Sequence, residues 1–214
     1  MSPKRRSYYE ATTPSKSRFS YEATRLAVFL LSSVGVTPLS VQASARIVPR
    51  LGLVPRTCSV GPAPTVLGPV FGVGSAVSGY GAFPVWGMAF DGAHATLRWS
   101  PDPHNPNTGF MPLYGWGHKM LWVMKPGFRG RVTLYGGDLR GGSPVWFNLD
   151  GPGQRPTTSL VLDPRHLPAT PSGRGKPWPQ FPGGMFVPHA GCYYIDARWP
   201  GGHWRMTFAA GRAR

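Results

Sequence analysis

Apolar and polar positions alternate strictly from Cys192 to Phe208. Tyr193, Ile195, Ala197 and Trp199 fall on one face, with Tyr194, Asp196 and Arg198 on the other. After Pro200-Gly201-Gly202 the pattern resumes, with Trp204, Met206 and Phe208 opposed to His203, Arg205 and Thr207. Period-two alternation on both sides of a Pro/Gly turn predicts a β-hairpin. Trp122, Ile195, Trp204 and Phe208 lie on the apolar phase and are expected to face inward. Arg205 lies on the solvent phase, where truncation is expected to cost little.

The same pattern recurs upstream. Pro84–Phe90 and Ala95–Trp99 flank Asp91-Gly92, a strong hairpin signal. Gly117–Met124 reads as a strand that ends at Pro126-Gly127 and returns through Gly130–Gly136. Shorter strands are predicted at Val145–Phe147, Ser159–Leu162 and Met185–Pro188. Residues 150–181 otherwise read as a long loop dominated by Pro, Gly and Arg. The pattern thus predicts an all-β fold: a two-sheet antiparallel sandwich, immunoglobulin-like, of seven to nine strands.

Residues 1–45 follow a different pattern. A basic, Ser/Thr-rich stretch precedes an apolar run, Leu26–Val36, which Pro38 breaks ahead of Ala43-Ser44-Ala45. Basic region, short apolar segment and A-x-A form the layout of a secretory signal peptide, with cleavage after Ala45. A membrane anchor over residues 26–45 is the alternative, though the apolar run is short for a span of about 20 residues. The domain organisation expected is a signal peptide at 1–45, a flexible Gly/Pro-rich leader at 46–81, a sandwich at 82–210 and a tail at 211–214.

Composition supports a loop-rich β domain. Gly 29 and Pro 25 supply turns, while Trp 8, Tyr 8 and Phe 11 supply a core that a disordered linker would lack. Two cysteines, Cys58 and Cys192, in an exported chain suggest one disulfide.

Charge adds a partner class. The formal net charge is +15. Residues 46–214 retain 17 Lys/Arg against 6 Asp, so the exported part is itself basic. Such a chain is attracted to polyanions: an anionic envelope polymer or a membrane surface. Nucleic acid is not an expected partner. Arg155, Arg165, Arg174 and Lys176 in the long loop, with Arg205 on the hairpin, are the candidate contacts.

Local signatures of catalysis are lacking. The six histidines form no H-x-x-x-H or H-E-x-x-H, and Ser143 and Ser159 are not in G-x-S-x-G. No catalytic residue, metal ligand or cofactor site is assigned. The expected function is an exported, non-catalytic envelope or extracellular module. The rivals are a polysaccharide- or nucleic-acid-binding surface that uses Trp and Arg, and a secreted hydrolase or metal protein with a non-local site.

Lys119–Gly130, then Val132-Thr133-Leu134, Gly136, Leu139, Ser143-Pro144 and Val187–Tyr193, resemble a group of secreted bacterial envelope domains. In that group an aromatic strand, a G-x-L-T-I-x-G-x-x-L strand and an A-P segment precede P-x-x-G-C-W/Y. The resemblance covers residues of roughly 80–210. It implies an immunoglobulin-like sandwich exported to the envelope, often as a lipoprotein, and supplies no catalytic residues. This chain departs from it in having no lipidation cysteine.

Overall fold

The hairpin from Gly191 to Arg212 forms the middle of one sheet, and the rest of the chain is laid against it. A computed structural model describes residues 50–55, 58, 63–68, 70, 76–100, 102, 104–151, 153–167 and 178–212. The expected signal peptide, anchor and Ala45 cleavage site lie outside these residues, as do Arg174 and Lys176. Among the described residues there is no helix long and apolar enough to cross a membrane.

The strands are β1 (Thr65–Leu67), β2 (Val77–Ala82), β3 (Val85–Gly87), β4 (Thr96–Trp99), β5 (Thr108–Met111) and β6 (Gly115–Met124). They continue with β7 (Val132–Asp138), β8 (Trp146–Leu149), β9 (Ser159–Leu162), β10 (Gln180–Val187), β11 (Gly191–Trp199) and β12 (Gly202–Arg212). The large sheet has the order β1-β2-β3-β6-β10-β8, with β5 also paired to β6. The small sheet has the order β4-β12-β11-β7-β9. Their inner faces bury one aromatic and aliphatic core that includes Trp99, Trp122, Phe147, Phe181, Tyr193, Ile195 and Phe208. The fold is a β-sandwich.

The predicted hairpin forms, with Ile195 opposite Met206 and Ala197 opposite Trp204; Gly202, read as part of the turn, already pairs with Trp199. Trp122 and Ile195 have no exposed surface, and Phe208 is 1% exposed. Trp204 differs. It also faces inward, but near the open end of the sandwich, where it is half-buried against the core.

Two predicted hairpins are corners instead. Asp91 and Thr96 exchange backbone hydrogen bonds of 2.8 and 3.1 Å, so the Asp-Gly turn forms. Its arms then part: β3 pairs with β6 in the large sheet, and β4 lies parallel to β12 in the small one. Likewise β6 and β7 belong to different sheets, joined by a turn in which Gly127 has φ +82°. A turn signal fixes where the chain reverses, not which strand it pairs with. Each corner places apolar residues from both arms, such as Val85 with Leu97 and Met124 with Val132, in the same inter-sheet core.

The strand count exceeds the expected seven to nine because β1, β2 and β5 carry weak alternation. The leader is also not merely a flexible segment: β1 and β2 pair and extend the large sheet. Gly211 and Arg212, expected in a frayed tail, belong to β12.

The largest difference is β10, of which only the end was predicted. It lies between β6 and β8, with Pro182 in its interior. Proline is tolerated because of where its missing N–H falls. On the β6 side the bonded pairs are its neighbours; on the β8 side Pro182 faces Asp150, just past the end of β8. There Asp150 N–H donates to the Pro182 carbonyl at 2.9 Å, and only the return bond is lost. Gly183 lets β8 approach, since a Cβ at this position would lie 2.0 Å from the Asn148 carbonyl oxygen.

Candidate functional site

The solvent face of the small sheet carries the charged residues of the hairpin. Arg205 Nε and Nη2 donate to the two Asp196 carboxylate oxygens at 2.6 and 2.7 Å. Its guanidinium carbon also sits 4.4 Å from the centre of the Tyr194 ring. Arg198 approaches the same carboxylate at 3.8 Å and lies over Tyr135 at 5.8 Å. Strand register dictates this cluster, because Asp196 stands opposite both Arg205 and Tyr135. Arg205 is therefore a partner for an internal carboxylate rather than a free contact. Its truncation would leave Asp196, whose side chain is 10% exposed, with only the longer Arg198 contact, so the change is not the near-neutral one expected.

A second carboxylate is held in the same way at the end of β9. Asp163 accepts from Arg131 Nε at 2.7 Å and from Arg165 Nε and Nη2 at 3.0 Å, with His166 Nδ1 at 3.2 Å. Arg165 is thus also committed to an aspartate. Arg155 is exposed and, among the described residues, has no carboxylate within ion-pair distance. Of the remaining predicted polyanion contacts, Arg174 and Lys176 lie outside the described residues.

Both carboxyls are pushed below the ordinary aspartate range. The Arg165 hydrogen bonds are the leading cause at Asp163, followed by Arg131. At Asp196 the Arg205 hydrogen bonds outweigh the opposing effect of burial. A carboxyl that titrates lower in the folded state stabilises the fold above its unfolded pKa of about 3.9. That contribution is lost as the pH falls through the folded value. Stability is therefore expected to decline below about pH 4, with a shallower decline in Asp196→Asn. Urea unfolding followed from neutral to acid pH checks this; equal acid dependence in both proteins would contradict it.

No group of three or more His, Cys, Asp or Glu capable of holding a metal occurs among the described residues. His189 is tied to the scaffold. Its Nε2 lies 3.3 Å from Asp138, and its carbonyl accepts from the Tyr193 hydroxyl at 2.7 Å. Burial pushes the Tyr193 hydroxyl pKa up.

The tryptophans are not an exposed platform. Trp86, Trp99, Trp122 and Trp178 are buried, and Trp116, Trp146, Trp199 and Trp204 are half-buried. Their basic neighbours on the strands, such as Arg98 beside Trp99, point to solvent.

A concavity lies at one end of the sandwich, where β4 and β12 finish and β6 begins. It is a cleft of about 640 Å³. Trp99, Phe110 and Trp116 supply an aromatic lining, Ser100, Asp102 and Thr108 supply polar groups, and Arg50 and Arg212 stand at its edge. Neither arginine has a carboxylate within ion-pair distance among the described residues. The Trp99 indole N–H already donates to the Gly117 carbonyl at 2.7 Å, which fixes that ring. Phe110 and Trp116 rings meet at 5.2 Å. Backbone bonds from Arg212 to Gly52 and from Val54 to Arg212 hold the wall that contains Arg50 and Leu51. The Cys58 and Cys192 sulfurs, 2.02 Å apart at disulfide distance, tie the same segment to β11.

Sequence reasoning missed this cleft. Arg50 and Arg212 are remote in the chain, and only the crowding of Phe110, Tyr114 and Trp116 after an Asn/Pro loop hints at it.

No family model matches the chain, and no curated protein matches it. Among solved structures it is similar to a protein described as a putative lipoprotein from Bacillus anthracis. The two are 10% identical, the match covers 64% of this chain and 81% of that one, and the TM-score is 0.38.

Proposed function

We propose that this protein is an exported, non-catalytic binding module for an anionic polymer of the cell envelope, held through the cleft. The observation that carries the reading is the pairing of Arg50 and Arg212, both without carboxylate partners among the described residues, with a cleft that presents the half-buried rings of Phe110 and Trp116. Rings of this kind stack on sugar faces, and guanidinium groups grip carboxylate or phosphate. Export is supported by the basic stretch, apolar run and A-x-A of residues 1–45. It is also supported by the Cys58–Cys192 pair, because disulfides persist in oxidising compartments.

The net positive charge makes long-range attraction follow. Asp163 and Asp196 are engaged by arginines, whereas Arg129, Arg140 and Arg155 face solvent without such partners among the described residues. The charge draws a polyanion in, and the cleft selects it.

The test uses protein recovered outside the cytoplasm, expected to begin at Arg46, titrated with polygalacturonate as the acidic polysaccharide. Binding is expected at low salt, weaker binding at high salt, and little binding to neutral amylose. The R50A/R212A double variant should bind roughly tenfold or more weakly while melting near wild type, since the Arg212 backbone bonds survive truncation. Unchanged binding in that variant, or equal affinity for duplex DNA, would overturn the assignment of the cleft.

A further inference from the structure

The end of the sandwich opposite the cleft gathers aromatic rings from three separate turns. Phe83, between β2 and β3, is 53% exposed. Its ring packs edge-on against Phe128 at 5.7 Å, from the turn between β6 and β7, and against Trp199 at 6.4 Å, at the end of β11. Both of these rings are half-buried. Phe128 and Trp199 pack against the inter-sheet core, and Phe83 lies outside it on their outer side with half of its surface exposed.

The charges around these rings are predominantly positive. Lys125 and Arg129 flank Phe128 and are exposed. Arg129 has no carboxylate within ion-pair distance among the described residues, and Lys125 lies over the Trp178 ring at 5.6 Å. The carboxylates on the strands that end here, Asp163 and Asp196, are each contacted by two arginines, so this end keeps a positive surplus. Asp150 closes β8, at the far edge of the large sheet.

We propose that this end seats the protein on an anionic membrane surface, with Phe83, Phe128 and Trp199 entering the headgroup layer and Lys125 and Arg129 meeting lipid phosphates. Charge complementarity selects the occupant. Aromatic rings settle at the membrane–water interface, and clustered Lys and Arg are attracted to anionic lipid. The three rings are carried by turns on a rigid sandwich, so they present together without a folding step.

The placement has a consequence for the other end. Trp116 and Met124 lie at opposite ends of β6, and Arg212 and Gly202 at opposite ends of β12. With the aromatic end on the membrane, the cleft faces away from it and stays open to a polymer. The membrane proposal rests on different residues from the cleft reading and does not depend on it.

The experiment is co-sedimentation of the extracytoplasmic protein with phosphatidylglycerol/phosphatidylcholine vesicles, beside quenching of Trp199 by brominated lipid. Wild type is expected to bind the anionic vesicles, to release them at high salt and to bind pure phosphatidylcholine weakly. F83A/R129A is expected to partition about tenfold less with its melting temperature held. R50A/R212A should bind vesicles as wild type does. Bromolipid quenching should fall in W199F by the share this ring contributes.

The proposal is overturned if wild type ignores anionic vesicles or if F83A/R129A binds them undiminished, as an uncleaved anchor would cause. It is also overturned if F83A/R129A loses polygalacturonate rather than vesicles, which would make this end a polymer site.

Discussion

Trp122→Ala is expected to unfold the domain or leave it severely destabilised. Trp122 has no exposed surface and sits in β6, between Gly87 of β3 and Phe181 of β10. Its ring packs so closely on β3 that a Cβ at Gly87 would lie 2.9 Å from it. Cutting a buried aromatic to alanine costs about 3–5 kcal/mol, against a total stability of roughly 5–15 kcal/mol. Trp122→Phe should cost much less. The indole N–H of Trp122 has no hydrogen-bond partner among the described residues, so the smaller ring forfeits volume but none of their bonds. Trp204→Ala should fall between them, because Trp204 is half-buried at the open end of the sandwich. Urea and thermal unfolding of the three variants give the order directly. If Trp204→Ala were the most damaging, the core would be centred at that end and not on β6.

That order also shows where the sequence was readable. Alternation assumes that one face of a strand meets solvent. The assumption holds along β11 and β12, where Tyr193, Ile195, Ala197, Met206 and Phe208 face inward as read. It fails in β6, where Val123 and Trp122 are adjacent and both fully buried. The outer face there is covered by Leu67, Val70, Trp86 and Trp178, which form a second small core. Half of that cover comes from residues 46–81, whose Gly- and Pro-rich composition reads as a flexible leader. Composition reports how easily a backbone bends and says nothing of what it bends over.

β10 was hidden for a related reason. Pro182-Gly183-Gly184 reads as loop, yet each residue meets a demand of its place: a missing donor beyond the end of β8, and no Cβ where β8 comes closest. The ion pairs of the candidate contacts are hidden for a different reason. Arg165 is legible as a basic loop residue and Arg205 as a basic residue on a solvent face. Their aspartate partners, two and nine residues away, become partners only through a tight turn and a strand register. The cleft requires residues from both ends of the described chain, and no local pattern carries that.

Cys58→Ser is expected to lower the melting temperature by roughly 10–20 °C and to weaken polymer binding below that temperature. The pair closes a loop spanning 134 residues. In the chain-entropy model a loop of that length contributes about 5 kcal/mol, and each kcal/mol shifts the melt of a domain this size by about 2–4 °C. The second effect follows from what the bond holds. Residues 50–55 run beside the end of β12 on a few backbone bonds, with Leu51 buried in the core. Arg50, Leu51 and Arg212 form one wall of the cleft, and the bond from Cys58 to Cys192 anchors the strip that carries two of them. Without the bond that strip is expected to loosen first, since apart from it two backbone bonds to Arg212 and the burial of Leu51 hold the strip. Vesicle binding at the opposite end should be untouched at the same temperature, because Cys192 lies where β11 begins and Trp199 where it ends, with Phe83 and Phe128 packed beside Trp199. Differential scanning calorimetry, with polymer and vesicle titrations well below the melt, separates the two effects. A Cys58→Ser protein that melts with wild type would remove the covalent contribution. One that melts early but keeps full polymer affinity would show that the wall stands on its backbone bonds alone.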